Sequence, residues 1–172
     1  MLKANLAREA PSPCISGIAK PIGTRTTQMS TSKLNCILLV DDDEATNEFH
    51  EFLLVELDIV KHIQQCIDGK DALNYLTNQG KYANKGNGYP CPELIFLDIN
   101  MPGMNGFEFL EAYHNLPPDQ KGNLIIIMLT TSLLEEDRKR AASYSEVTEF
   151  RNKPLTREYV LEVIEKYCNN AQ

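Results

Sequence analysis

Short apolar runs alternate with amphipathic stretches along most of the chain. Ile37-Leu38-Leu39-Val40, Leu94-Ile95-Phe96-Leu97 and the segment Leu124 to Leu129 lack polar alternation, as strands covered on both faces of a parallel sheet do. Between the runs the apolar spacing lengthens to that of a helix. Ala45, Phe49, Phe52, Leu53 and Leu57 predict a helix from Glu44 to Leu57 with that stripe inward. A second strand is expected near His62 to Ile67, then a helix after Asp68-Gly69 with Ala72, Leu73 and Leu76 inward. A third helix should start at Asn105, paired with Glu108 as a capping box, and Ser132 with Glu135 predicts the same device for a fourth. Leu124 to Leu129, the most continuous run, is expected to be central. A short strand at Val147 to Phe150 and a last helix capped by Thr156, with Val160, Val163, Ile164 and Tyr167 inward, complete the pattern. Five strand-helix units in succession predict an α/β fold with a parallel sheet.

Two segments fall outside this rhythm. Residues 1–33 are rich in Pro, Ser, Thr, Ala and Gly without a sustained period, which predicts a disordered tail ahead of a domain over 34–168, with 169–172 as a short C-terminal tail. Met29 lies just ahead of the first strand, so two readings stay open: a translation start at Met29, or a genuine tail or Arg-rich targeting segment. The connection from Gln79 to Pro92 is loaded with Gly, Asn and Pro and is longer than most helix-to-strand links, marking a surface excursion or a partner contact. No output domain is expected after the last helix.

Composition narrows the setting. The 172 residues suffice for one domain and a tail. Cys14, Cys36, Cys66, Cys91 and Cys168 form no CxxC pair or metal-ligand spacing, so a reduced, cytoplasmic protein is expected. No run is long enough to span a bilayer, so no membrane role is expected. Residues 1–33 carry Lys3, Arg8, Lys20, Arg25 and Lys33 against Glu9, a net of +4, which leaves -11 of the total -7 for the remainder. So acidic a domain repels a nucleic-acid backbone, and direct nucleic-acid binding is not expected.

The chemistry sits where the apolar runs end. Asp41-Asp42-Asp43-Glu44 follows the first run, Asp98 ends another, Thr130 ends a third, and Lys153-Pro154 follows the last. Singly these read as an acidic helix start complementing the dipole, a strand residue and a loop lysine. Together they crowd the carboxyl rim of a parallel sheet, where ligands bind. Asp41, Asp42 and Asp98 can cage a small hard cation such as Mg²⁺, which relieves their repulsion. Lys153 and Thr130 can hold the oxygens of a phosphoryl group transferred to Asp98, a reaction that is mostly positioning and charge neutralisation. The product is an acyl phosphate. His50, His62 and His114 lie on unrelated elements and are read as surface or core residues.

These residues carry a resemblance. Leu-Leu-Val-Asp41-Asp42-Asp43-Glu, Leu-Asp98-Ile-Asn-Met-Pro102-Gly-Met-Asn-Gly106, Met-Leu-Thr130 and Phe150-Arg-Asn-Lys153-Pro154 resemble the receiver domain of two-component response regulators over about residues 34–168. The resemblance implies a (βα)5 doubly wound, flavodoxin-like sandwich of strand order 2-1-3-4-5. It implies Asp98 as phosphoacceptor, Mg²⁺ bound by Asp42, Asp98 and the Asn100 carbonyl with Asp41 acting through water, and phosphate supplied by a sensor histidine kinase or histidine phosphotransfer protein. Thr130, Lys153 and Phe150 would be switch hydroxyl, phosphate-binding lysine and switch aromatic, with Pro154 after a cis bond. The domain would catalyse only its own phosphorylation and dephosphorylation, and would signal to a protein target that the sequence does not name. A phosphate carrier or sink in a relay, or a non-phosphorylated interaction module, are the alternatives. Thr131 departs from the usual small residue, and Phe150 lacks the hydroxyl of a frequent Tyr. A haloacid-dehalogenase-like phosphatase would need an acid where Asn100 stands.

Overall fold

A computed structural model describes residues 33–83, 89–121, 124–132 and 134–168. The tail over 1–32, the Met29 start and the tail over 169–172 lie outside the described residues. Five strands, β1 (Leu34–Val40), β2 (Val60–Cys66), β3 (Leu94–Asp98), β4 (Ile125–Thr130) and β5 (Val147–Asn152), form one parallel sheet of order β2-β1-β3-β4-β5. The helices are α1 (Glu44–Leu57), α2 (Gly69–Leu76), α3 (Gly106–His114), the single turn α4 (Pro118–Lys121), α5 (Glu135–Ala141) and α6 (Arg157–Val163), which runs on into a π-helical turn. This is the doubly wound, flavodoxin-like architecture expected.

Alternation along the strands divides the core in two. Cys36, Leu38, Val40, Ile95 and Leu97 point to the layer of α2, α3 and α5, where they meet Ala72, Phe109, Leu110 and Ala141. Ile37, Leu39, Leu94 and Phe96 point to the layer of α1 and α6, where they meet Leu53, Leu54, Val160 and Val163. A strand used on both faces has no room for polar positions, which is why these runs read as continuous. Covering on both faces marks an interior strand without ordering the interior, and β4, the most continuous run, is interior as expected. β3 is central, and β4 lies between β3 and β5.

Other expectations are corrected. The buried face of α1 is Asn47, His50, Leu53 and Leu54, whereas Ala45 is exposed and Phe49 and Phe52 are 49% and 68% exposed. β2 ends at Cys66 and leaves Ile67 exposed. Ser132 does not cap a helix: its amide is tied to the Thr130 hydroxyl, its own hydroxyl accepts from the Leu134 amide, and α5 starts after Leu134 with no side-chain cap. The expected caps Asn105, with its box partner Glu108, and Thr156 are present.

The connection after α2 is partly built in. Its described part makes a 3-10 turn (Gly80–Tyr82) that buries Tyr82, and Tyr75, Tyr82 and Tyr89 pack edge to face with centroids 5.0 to 5.7 Å apart. The Tyr75 hydroxyl donates to the Pro90 carbonyl at 2.7 Å. This aromatic cluster flanks the sheet, with the Tyr75 hydroxyl 3.5 Å from Cys36 early in β1 and the Tyr82 hydroxyl 3.6 Å from Cys66 at the end of β2.

Candidate functional site at the carboxyl rim

The sheet register brings the strand ends level. β1 runs out at Val40, paired with Leu97 of β3, and Asp98 pairs with Leu129 of β4, so that Asp41, Asp98 and Thr130 reach the rim side by side. Asp41, Asp98 and Thr130 are buried and Asp42 is exposed. Carboxylate oxygens of Asp41, Asp42 and Asp98 lie within 4.8 Å of one another. From the last strand, the Lys153 ammonium reaches between two of them, 2.5 Å from Asp41 Oδ2 and 2.9 Å from Asp98 Oδ1.

Local hydrogen bonds fix these groups. The Asp41 carboxylate accepts from the Asp43 amide at 3.1 Å, and that of Asp98 from the Asn100 amide at 3.2 Å. Asp43 caps α1 through Thr46 and is a helix start. The Lys153 amide donates to the Thr130 carbonyl at 2.8 Å, and the Lys153-Pro154 bond is cis. The Thr130 hydroxyl accepts from the Ser132 amide at 2.9 Å, and a hydroxyl that accepts keeps its own hydrogen for donation.

Electrostatics follow from burial. Desolvation pushes the Asp98 carboxyl above its ordinary pKa, although Lys153 pulls the other way. Burial alone would lower Lys153, but its bonds to Asp41 and Asp98 outweigh that and raise it. Three carboxylates face one ammonium, an excess of two negative charges presented by oxygen donors alone. That donor set and charge fit a small hard divalent cation and not a soft one.

Phe150 is half-buried in β5, with the Arg138 guanidinium 5.3 Å from its ring centre. The two line an open groove of about 960 Å³ between α5, β5 and α6. A smaller depression of about 350 Å³, lined by Ala45, Phe49, His50, Thr131, Lys153 and Pro154, opens on the lysine. The chemistry belongs to the smaller one, because it opens on Lys153, the residue paired with Asp41 and Asp98. Thr131, exposed, stands at its edge.

Sequence reasoning missed three residues here. Gly106 packs so closely on the Asp98 carbonyl that an added Cβ would lie 2.4 Å from it; its place at the end of the Pro102-Gly-Met-Asn-Gly106 run was the available signal. Asn47 donates to the Asp41 carbonyl at 2.8 Å, and His50 Nε2 accepts from the Leu155 amide at 3.4 Å. No spacing pointed to either. His114 pairs with Glu146 at the surface, and His62 Nε2 is buried without a partner among the described residues.

Comparison with known proteins identifies the family. Residues 37–165 match the family model of the response regulator receiver domain. The response regulator Rcp1 of Synechocystis sp. is 37% identical over 102 residues, covering 59% of this chain and 65% of Rcp1. The crystal structure of its Mn²⁺-bound form matches with a TM-score of 0.64 at 26% identity, covering 80% of this chain and 97% of that one. A two-component response regulator from Cytophaga hutchinsonii matches with a TM-score of 0.69 at 30% identity, covering 80% and 99%. Hybrid signal transduction histidine kinase L of Dictyostelium discoideum is 29% identical over 144 residues, 80% of this chain but 8% of the kinase, so the same domain also occurs as part of a kinase. With the fold, the acidic rim and a family match over most of its length in agreement, the chain belongs to the response regulator receiver domain family, the signalling domain of two-component systems.

Proposed function

We propose that Asp98 accepts a phosphoryl group from a phosphohistidine of a sensor histidine kinase or phosphotransfer protein, and that the acyl phosphate switches a protein contact. The observation that carries this reading is the Lys153 ammonium held between Asp41 and Asp98, beside a third carboxylate, on the rim of the sheet. In the transfer, an Asp98 Oδ–P bond forms as the donor P–N bond breaks, and the imidazole leaves. Burial favours this nucleophile, since a desolvated carboxylate loses less on becoming part of an acyl phosphate than one stabilised by water.

Mg²⁺ is the fitting cofactor, which Asp42, Asp98 and the Asn100 carbonyl would hold, with Asp41 through water; it would supply positive charge to the phosphoryl oxygens. Lys153 then turns from a carboxylate oxygen to a phosphoryl oxygen, and Thr130 donates its hydroxyl hydrogen to another. Drawing Thr130 toward the phosphoryl group frees space behind β4 for Phe150, which can pass a signal only by packing. The exposed apolar strip of Phe49, Phe52 and Val55 on α1 adjoins the depression over Lys153 and gives the donor a place to dock.

Radiolabelled acetyl phosphate with Mg²⁺ tests the core of the reading. Wild type is expected to take up label on Asp98, and Asp98→Asn to take up none. Undiminished labelling of Asp98→Asn overturns the assignment.

A further inference from the structure

The face that α1 turns to the core carries two polar residues where an apolar stripe would fit. Asn47 and His50 are 2% and 1% exposed, and burying such groups costs free energy that Leu would not cost. Each spends its hydrogen bond on a different loop of the rim. Asn47 Nδ2 holds the carbonyl of Asp41, at the end of β1. One turn on, His50 Nε2 takes the amide hydrogen of Leu155, in the loop between β5 and α6.

The Leu155 contact matters because of its neighbours. Pro154 has no N–H, so the Leu155 amide is the first backbone donor after Lys153. The lysine is therefore bracketed by two anchors, its own amide on the Thr130 carbonyl and the Leu155 amide on His50. Burial drives the His50 pKa down to about 4, with Asp41 opposing and Lys153 assisting, so the ring is neutral near pH 7 and keeps a lone pair to accept with.

We infer that Asn47 and His50 are positioning residues for phosphoryl transfer, which from one helix face fix the acidic loop and the lysine loop relative to each other, His50 acting through Lys153. The inference rests on the phosphoacceptor reading above. A displaced lysine slows the reaction without removing the cation ligands, because Asp41, Asp42 and Asp98 sit on other segments. A displaced Asp41 weakens the cation site as well as its hold on the lysine.

A double-mutant cycle separates this from a merely structural role. Labelling rates are measured with saturating acetyl phosphate and Mg²⁺ for wild type, His50→Leu, Lys153→Ala and the double variant, with Mg²⁺ affinity by calorimetry. His50→Leu is expected to slow labelling about tenfold, to leave Mg²⁺ affinity unchanged, and to add nothing in the Lys153→Ala background; His50→Gln, which keeps an acceptor, should restore most of the rate. Asn47→Leu is expected to weaken Mg²⁺ binding about tenfold. Equal losses from His50→Leu in both backgrounds, or none, overturn the role of His50, and unchanged Mg²⁺ affinity in Asn47→Leu overturns that of Asn47. Should His50→Leu not fold, nitrogen chemical shifts of the wild-type ring decide: a proton on Nδ1 upholds the inference and one on Nε2 overturns it. Labelling that survives Asp98→Asn defeats the phosphoacceptor reading itself, whereas labelling confined to Asp98 with a wild-type rate in His50→Leu defeats this inference alone.

Discussion

Gly106 stands where no side chain fits. Its missing Cβ lets the start of α3 close on the Asp98 carbonyl, and its amide donates to the Ile99 carbonyl at 3.0 Å. Gly106→Ala must push the backbone of Asp98 aside, at a cost of about 2 kcal/mol, and a lower urea midpoint together with slower labelling would register it. His50 makes a second prediction at this scale. Its pKa falls from 6.5 in the unfolded chain to about 4 in the folded one, so the unfolded state binds the extra proton in that interval. Stability is therefore lost as pH falls from 6.5 toward 4, and urea titrations across that range should show a shallower loss for His50→Gln. The gathering of Asp41, Asp42, Asp98, Thr130 and Lys153 at one rim was legible in the sequence because each is an odd residue type at the end of an apolar run. Asn47 and His50 were not, because Phe49 and Phe52 beside them supplied a stronger apolar signal in the wrong phase.

Among the elements, α1 shows why that phase was wrong. A helix with apolar residues on two faces has no unique stripe, and only packing against β1 decides which face goes in. Its outer strip is then spare for stability. Phe52→Ser should leave the melting temperature nearly unchanged, since the ring is 68% exposed, while slowing transfer from a phosphorylated kinase and not from acetyl phosphate. Equal rates from the kinase would argue against docking there. β5 and α6 are joined by Glu149, which accepts from Arg151, Tyr159, Lys166 and Tyr167. Burial would raise its pKa, but these donors outweigh burial and hold it at about 2 against an ordinary 4.5. A depressed carboxylate stabilises above 4.5 and loses that contribution as pH falls from 4.5 to 2. Glu149→Gln should thus be less stable than wild type at pH 7 and converge with it near pH 2, by urea titration. The failed cap at Ser132 has a related cause. The pattern Ser132 to Glu135 is a sound local signal, but the serine amide is claimed by Thr130 and its carbonyl accepts from the Asn152 side chain.

At the scale of the molecule, among the described residues both hydrophobic clusters are assembled from residues 34–168. A chain starting at Met29 should therefore keep the melting temperature and labelling rate of the longer one; a loss of several degrees would show that the first residues contribute. Fold class was legible throughout because alternating runs dictate a parallel sheet, whereas strand order is set by crossovers that leave no mark in any one run. Asp41, Asp98, Thr130 and Lys153 gather on the rim where the strands finish, whereas the Tyr75, Tyr82 and Tyr89 cluster flanks the sheet from Cys36 in β1 to Cys66 in β2. Tyr82→Ala should cost about 3 kcal/mol of stability and leave the labelling rate of the folded protein untouched. Length and sequence between α2 and β3 can thus drift under selection for stability alone, and a tag or reporter inserted there would travel with the switch without touching it.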